Sequence, residues 1–148
     1  PELTVEVVLA AVGDSARYSI YDFVDAALSG KPERVARILD GLRGEGVEPV
    51  LINWALHQEV RRLAALAFTQ DRGQALETAL AEQKVWDKRK PLLRQALQRL
   101  TLSDCRDLLR ACAQTDCLIK GAEVGSPWDA LLANGLRLAG VVSIRARQ

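Results

Sequence analysis

One apolar stripe limits the fold more than any other feature of the chain. Ile52, Leu56, Val60, Leu63 and Ala67 recur at helical spacing in a segment that opens at Glu48-Pro49 and runs to about Thr69. Leu51, Trp54 and Ala55 widen it. A helix apolar over so broad an arc cannot be satisfied by a single neighbour, so it must be the central member of a bundle. Asp71-Arg72-Gly73 ends it.

The surrounding segments carry the start and stop signals of further helices. Ser19 with Asp22 forms S-x-x-D, a capping-box start with Asp in place of the usual Glu or Gln, ahead of a helix over Ile20–Leu28. Its apolar positions are Ile20, Phe23, Val24, Ala27 and Leu28, and Gly30 stops it. Pro32 suits the first turn of the next helix, whose inward face is Val35, Ile38, Leu39 and Leu42 and which ends in Gly44-Glu45-Gly46. The short link at Gly30-Lys31 makes the two an antiparallel hairpin. A weak helix is expected over Ala75–Gln83.

Thr101 or Ser103 caps a helix over Asp104–Lys120, with Leu108, Leu109, Cys112 and Ile119 inward and Gly121 after its end. Asp116 and Lys120 stand four apart with the acid first, the favourable order for a helical pair. Ser126-Pro127-Trp128-Asp129 starts the last helix, which runs to about Ala139 through Leu131, Leu132, Leu136 and Leu138. Near the N-terminus, Thr4 can cap a short helix over Val5–Val12, and Asp14–Tyr18 reads as a connector. Only Val141–Ile144 hints at strand periodicity, and order or disorder of the tail 141–148 stays open. The fold class is therefore all-α, an antiparallel helical bundle.

At 148 residues, 49% hydrophobic, the chain is one domain's worth and can bury a core. A net charge of +1 argues against attraction of the whole domain to nucleic acid, so any such contact must be local. No apolar run approaches the ~20 residues that span a bilayer. The N-terminal stretch carries Glu2, Glu6 and Asp14 without a basic region, unlike a signal peptide. The start at Pro1 without Met suggests a piece of a longer protein.

The local exception is Lys84–Leu100, where Lys84, Lys88, Arg89, Lys90, Arg94 and Arg99 face Asp87 alone. Lys90 precedes Pro91, and a residue before proline is biased away from the α region. Pro91 therefore belongs to the first turn of a helix starting near Asp87 or later, with Leu92, Leu93, Ala96, Leu97 and Leu100 inward and its arginines at the surface or an interface. Trp86, among the cations Lys84, Lys88, Arg89 and Lys90, has two readings: a packing anchor at a helix start, or a platform on which a nucleic-acid base stacks. Trp54 is expected in the core, and Trp128 to pack back onto the bundle.

Catalytic signatures do not emerge. There is no G-x-x-x-x-G-K-[ST] loop, no G-x-S-x-G elbow and no H-E-x-x-H. The single His57 cannot build a two-histidine metal site and reads as an ordinary helix residue. Cys105, Cys112 and Cys117, odd in number and without C-x-x-C spacing, read as small buried hydrophobes of a reducing cytoplasm. The expectation is no catalytic site, no cofactor and no metal.

Four blocks in fixed order carry a resemblance: RYSIYDFVDAALSGKPERVARILDGLRGEG, EPVLINWALHQEVRRL, K-V-W-x-x-R from Lys84 to Arg89, and TDCLIKG…SPWDALLANGL. Over Arg17–Leu138 the chain resembles the C-terminal part of the delta subunit of bacterial DNA polymerase III, a sliding-clamp loader component. The resemblance implies that 1–16 are the end of a helical lid domain plus connector, and that 17–148 are a helical collar. In that family, collars of five loader subunits pack into a ring. The delta subunit binds and opens the clamp through an N-terminal domain that lies outside this sequence, and the assembly encloses primed DNA. The implied role is a cytoplasmic, non-catalytic assembly scaffold with other loader subunits as partners. The alternative is a nucleic-acid-binding helical module acting through the basic stretch around Trp86, and Lys84, Trp86, Lys88, Arg89 and Lys90 are the candidate contacts to DNA or to a neighbouring subunit.

Overall fold

The computed structural model describes residues 18–141, all of it helix, turn or loop. The expected helix over Val5–Val12 and nearly all of the tail fall outside these residues. The helices are α1 (Ile20–Leu28), α2 (Pro32–Gly44), α3 (Pro49–Asp71), α4 (Leu76–Glu82), α5 (Lys90–Arg99), α6 (Leu102–Ile119) and α7 (Pro127–Leu138).

Local chemistry sets most of their ends. The Ser19 hydroxyl accepts from the Asp22 N–H while the Asp22 carboxylate accepts from the Ser19 N–H, a reciprocal box at the start of α1. Thr101 and Asp104 repeat it at α6, so Thr101 rather than Ser103 is the cap and the helix starts two residues before Asp104. Each cap contributes about 1 kcal/mol. Ser126 caps α7 by accepting from the Asp129 N–H. Pro32, Pro49, Pro91 and Pro127 all lie in first turns, where no N–H is needed.

The stripe of α3 is buried as its spacing requires, and α3 lies along α6 for much of its length. The α2 face, Val35, Ile38, Leu39 and Leu42, is buried in full. Helices α2 and α7 run antiparallel, with Arg43 over the Trp128 ring at one end and Val35 against Gly135 further along. Gly135 is required there. A Cβ would come within 2.8 Å of Phe23 Cζ and 2.9 Å of Val35 Cγ1, so its absence lets α1 and α2 close on α7.

Two polar ties cross the core. Asn53 Nδ2 donates to the Cys112 carbonyl at 3.1 Å, joining α3 to α6. Asn134 Nδ2 donates to Thr115 Oγ1 at 2.9 Å, and that hydroxyl donates to the Ala111 carbonyl, joining α7 to α6. Periodicity did not mark Asn53, Thr115 or Asn134 as buried, because the rule scores them polar.

Several expectations need correction. Leu109, Leu132 and Leu136 are only partly buried, packed against the core from its margin, as are Leu92, Leu97 and Leu100 of α5, and Ile119 is half-buried at the end of α6. Trp54 is also half-buried, lying on the flank of the α3 stripe. Cys105 and Cys112 are buried, whereas Cys117 is half-exposed near the end of α6.

The largest correction concerns Arg99, read from sequence as a surface or interface group. Its Nη2 donates to the carbonyls of Ala27 at 2.8 Å, Leu28 at 2.7 Å and Leu138 at 2.9 Å. A cation is thereby fixed at the carbonyl ends of α1 and α7, where helix dipoles favour positive charge. Gly30 makes room for it: a Cβ there would stand 3.3 Å from Arg99 Nη1, and its φ of +72° is unfavourable for any L side chain.

Candidate functional site

The basic stretch is assembled from the end of α4, a turn and the start of α5. Helix α4 closes with the Lys84 N–H donating to the Ala81 carbonyl and the Val85 N–H to the Leu80 carbonyl. Lys84 occupies the left-handed position of this closure with φ 55°, where a side chain costs about 1 kcal/mol. Val85 next to it is buried in the core. Trp86 follows with 77% of its surface exposed, which excludes the packing-anchor reading of that ring. Its carbonyl accepts from the N–H groups of Arg89 at 2.9 Å and Lys90 at 3.2 Å, closing a single turn that leads into α5.

The four cations around Trp86 divide into two kinds. Lys84 and Lys88 are exposed and form no ion pair among the described residues. Arg89 is half-buried and engaged at both ends of its fork. Nη1 donates to Asp25 Oδ1 of α1 at 2.8 Å, and Nη2 to Glu59 Oε1 of α3 at 2.9 Å. Burial opposes its charge, but Glu59 and Asp25 outweigh that and raise its pKa above the ordinary value. Lys90 Nζ lies 2.9 Å from Asp87 Oδ1, and the hydrogen bond from Lys90 holds the Asp87 carboxyl below its usual pKa.

The remaining cations of the stretch are also committed. Arg94 makes a two-pronged contact with Glu77 of α4, at 2.8 and 3.0 Å. Arg99 serves the carbonyls already described. The charge excess counted along the chain is therefore largely compensated by Asp25, Glu59 and Glu77 from other elements. What stays available is an exposed indole with a lysine on either side.

Asp25 and Glu59 belong to the site through space, not through the local sequence. Arg89 lies 64 positions from Asp25 and 30 from Glu59, so no local pattern links them. Glu59 carried one faint signal: an acid beside Val60 on the flank of the most apolar stripe needs a cation partner.

Elsewhere, His57 is half-buried on α3, and burial followed by Arg61 lowers its pKa, with Asp116 partly opposing. No group of three or more His, Cys, Asp or Glu side chains suited to a metal occurs among the described residues. No described helix is long and apolar enough to cross a membrane. The described chain is thus a helical bundle that presents a basic aromatic turn on its flank.

Residues 20–142 match the family described as the processivity clamp loader gamma complex, DNA polymerase III C-terminal region. The chain is 32% identical over 127 residues to DNA polymerase III subunit delta of Haemophilus influenzae, a match covering 80% of this chain. It is also 32% identical over 127 residues to the Escherichia coli subunit of the same name, covering 86% of this chain. In both cases it spans 37% of the relative's length. The chain belongs to the DNA polymerase III delta-subunit family, within its C-terminal region.

Proposed function

We propose that this chain is the collar of a clamp-loader delta subunit, with 17–148 as the assembly domain and 1–16 as the end of a lid. Its partners are the other loader subunits, whose collars close a ring with it. The clamp is engaged by a domain N-terminal to this region, and primed DNA is enclosed by the complete assembly. The region is a scaffold without chemistry of its own, working in the cytoplasm. The observation that carries this reading is the family match over residues 20–142, nearly the whole described bundle. To test it, the full-length subunit is mixed with the other loader subunits of its organism and run by size exclusion. Deleting 17–148 should abolish co-migration, and a deletion variant that still co-migrates fully would refute the assembly role.

A second reading is supported by the exposure of Trp86 between Lys84 and Lys88. In this reading the turn stacks on an unpaired base of the enclosed DNA, with the lysines against the backbone. Within the assembled loader, Trp86→Ala should weaken binding of a single-stranded overhang, and Lys88→Ala should reduce the salt dependence by roughly 0.7 in log–log slope. Unchanged affinity and slope in both variants would leave the turn with no role in DNA binding.

A further inference from the structure

Trp86 is held from both sides along the chain. Before it, Val85 is sunk in the apolar core. After it, the Arg89 N–H donates to the Trp86 carbonyl at 2.9 Å, and the Arg89 side chain is tied to two other helices. Its guanidinium is the point where α1, α3 and the turn meet. Glu59 is only 12% exposed in its side chain, and the Oε1 that accepts from Arg89 also lies 3.5 Å from Arg62.

We propose that Arg89, Asp25 and Glu59 form a clamp that positions the Trp86 turn for an unpaired nucleic-acid base, and that none of the three touches that ligand. This rests on the stacking reading of Trp86. The physical reason is preorganisation. An exposed ring on a loose turn must be immobilised when it binds, and each side chain so ordered weakens binding. Two anchors within three residues on either side of the ring settle that cost during folding. Both terminal nitrogens of Arg89 are occupied by carboxylates, which leaves the phosphate contacts to Lys84 and Lys88. Arg89 thereby moves from the contact set to the positioning set.

The clamp makes a prediction opposite in sign to simple electrostatics. Asp25→Asn removes a negative charge near the site, and charge alone would then tighten binding to a polyanion. The clamp predicts weaker binding, by about threefold, because the amide leaves Nη1 only a neutral acceptor, the charge-assisted arm of the fork weakens and the turn loosens. The experiment measures affinity of the assembled loader for a labelled oligothymidine overhang, with the full-length subunit carrying Asp25→Asn, Glu59→Gln, Arg89→Ala or Trp86→Ala. A fluorinated tryptophan at position 86 alone reports ring mobility by fluorine NMR without ligand. The Asp25 carboxylate is partly exposed, so Asp25→Asn keeps the fold where Arg89→Ala strands Glu59.

The expected result is a changed Trp86 resonance and weaker binding in Asp25→Asn, with the salt slope equal to that of the unmodified loader. A lower slope in Arg89→Ala would show Arg89 on a phosphate and overturn the assignment. Equal or tighter binding in Asp25→Asn, with an unchanged resonance, would overturn the clamp while a Trp86→Ala defect left the stacking reading intact. If Trp86→Ala itself changes nothing, the stacking reading fails and the positioning role fails with it.

Discussion

Replacing Arg99 by alanine tests a tertiary contact that ties α5 to the carbonyl ends of α1 and α7. Three carbonyls, of Ala27, Leu28 and Leu138, accept from its Nη2, and Nη1 donates to the Gln95 carbonyl at 3.1 Å. Nη2 has two protons for three acceptors, so one proton is shared and the contact amounts to about two charged hydrogen bonds. At ~1.5 kcal/mol each, the low end for charged donors, these contribute roughly 3 kcal/mol. Against this stands the desolvation of the guanidinium, which lowers its pKa, and an Nε that is buried without a partner. The site is also partly open, so water can reach the carbonyls once the side chain is gone. The net cost of Arg99→Ala is therefore about 2 kcal/mol, or roughly 6 °C in melting temperature for a chain of this size. Arg99→Lys keeps the charge but loses the planar fork, and should recover about half. Thermal and urea unfolding followed by circular dichroism measure both. No carboxylate is involved, so the penalty should be nearly independent of salt. A melting temperature within ~1 °C of the parent for Arg99→Ala, or equal losses for Ala and Lys, would refute the reasoning.

Three further outcomes are expected. Gly135→Ala drives a methyl into Phe23 and Val35, an overpacking cost of about 1–3 kcal/mol that exceeds the ~1 kcal/mol helix gain; in a Phe23→Leu background the same change should cost measurably less, and equal costs by urea unfolding would count against the contact. Burial pushes the thiol of Cys105 up to about 11 and that of Cys112 up to about 12, so alkylation at neutral pH followed by peptide mass spectrometry should label Cys117 alone at an early time, and early modification of Cys112 would contradict the buried core. The pKa of His57 lies below its ordinary 6.5 in the folded chain, so the folded state takes up fewer protons than the unfolded one in that window. Its contribution is complete above about 6.5 and is lost as pH falls through the lower folded value, and His57→Gln should flatten stability against pH across that range.

Helices were legible because their determinants are local. Ser19 with Asp22, Thr101 with Asp104 and Ser126 with Asp129 each fix a helix start within four residues. Proline in a first turn needs no information from elsewhere in the chain. The spacing of Val35, Ile38, Leu39 and Leu42 names the buried face of α2 without reference to what covers it. Where burial depended on a neighbour's reach, the pattern told less: Leu109 and Leu132 have the right spacing and pack against the core, but no described element covers their outer edges. The polar residues Asn53, Thr115 and Asn134 are buried because a partner lies 59 or 19 positions away, and periodicity cannot see partners.

The candidate site shows the same division. Sequence alone determined that this chain is a helical bundle, that a turn bearing Trp86 interrupts it, and that cations crowd that turn. Charge, however, acts through space, and the acids that answer these cations come from distant parts of the chain. Asp25 and Glu59 take up Arg89, Glu77 takes up Arg94, and the carbonyl ends of α1 and α7 take up Arg99. Only the tertiary structure decided that Trp86 stands exposed while the arginines around it are held by the fold. A helix cap is a contact between residues three apart, but an ion pair between helices exists only once the core has brought them together.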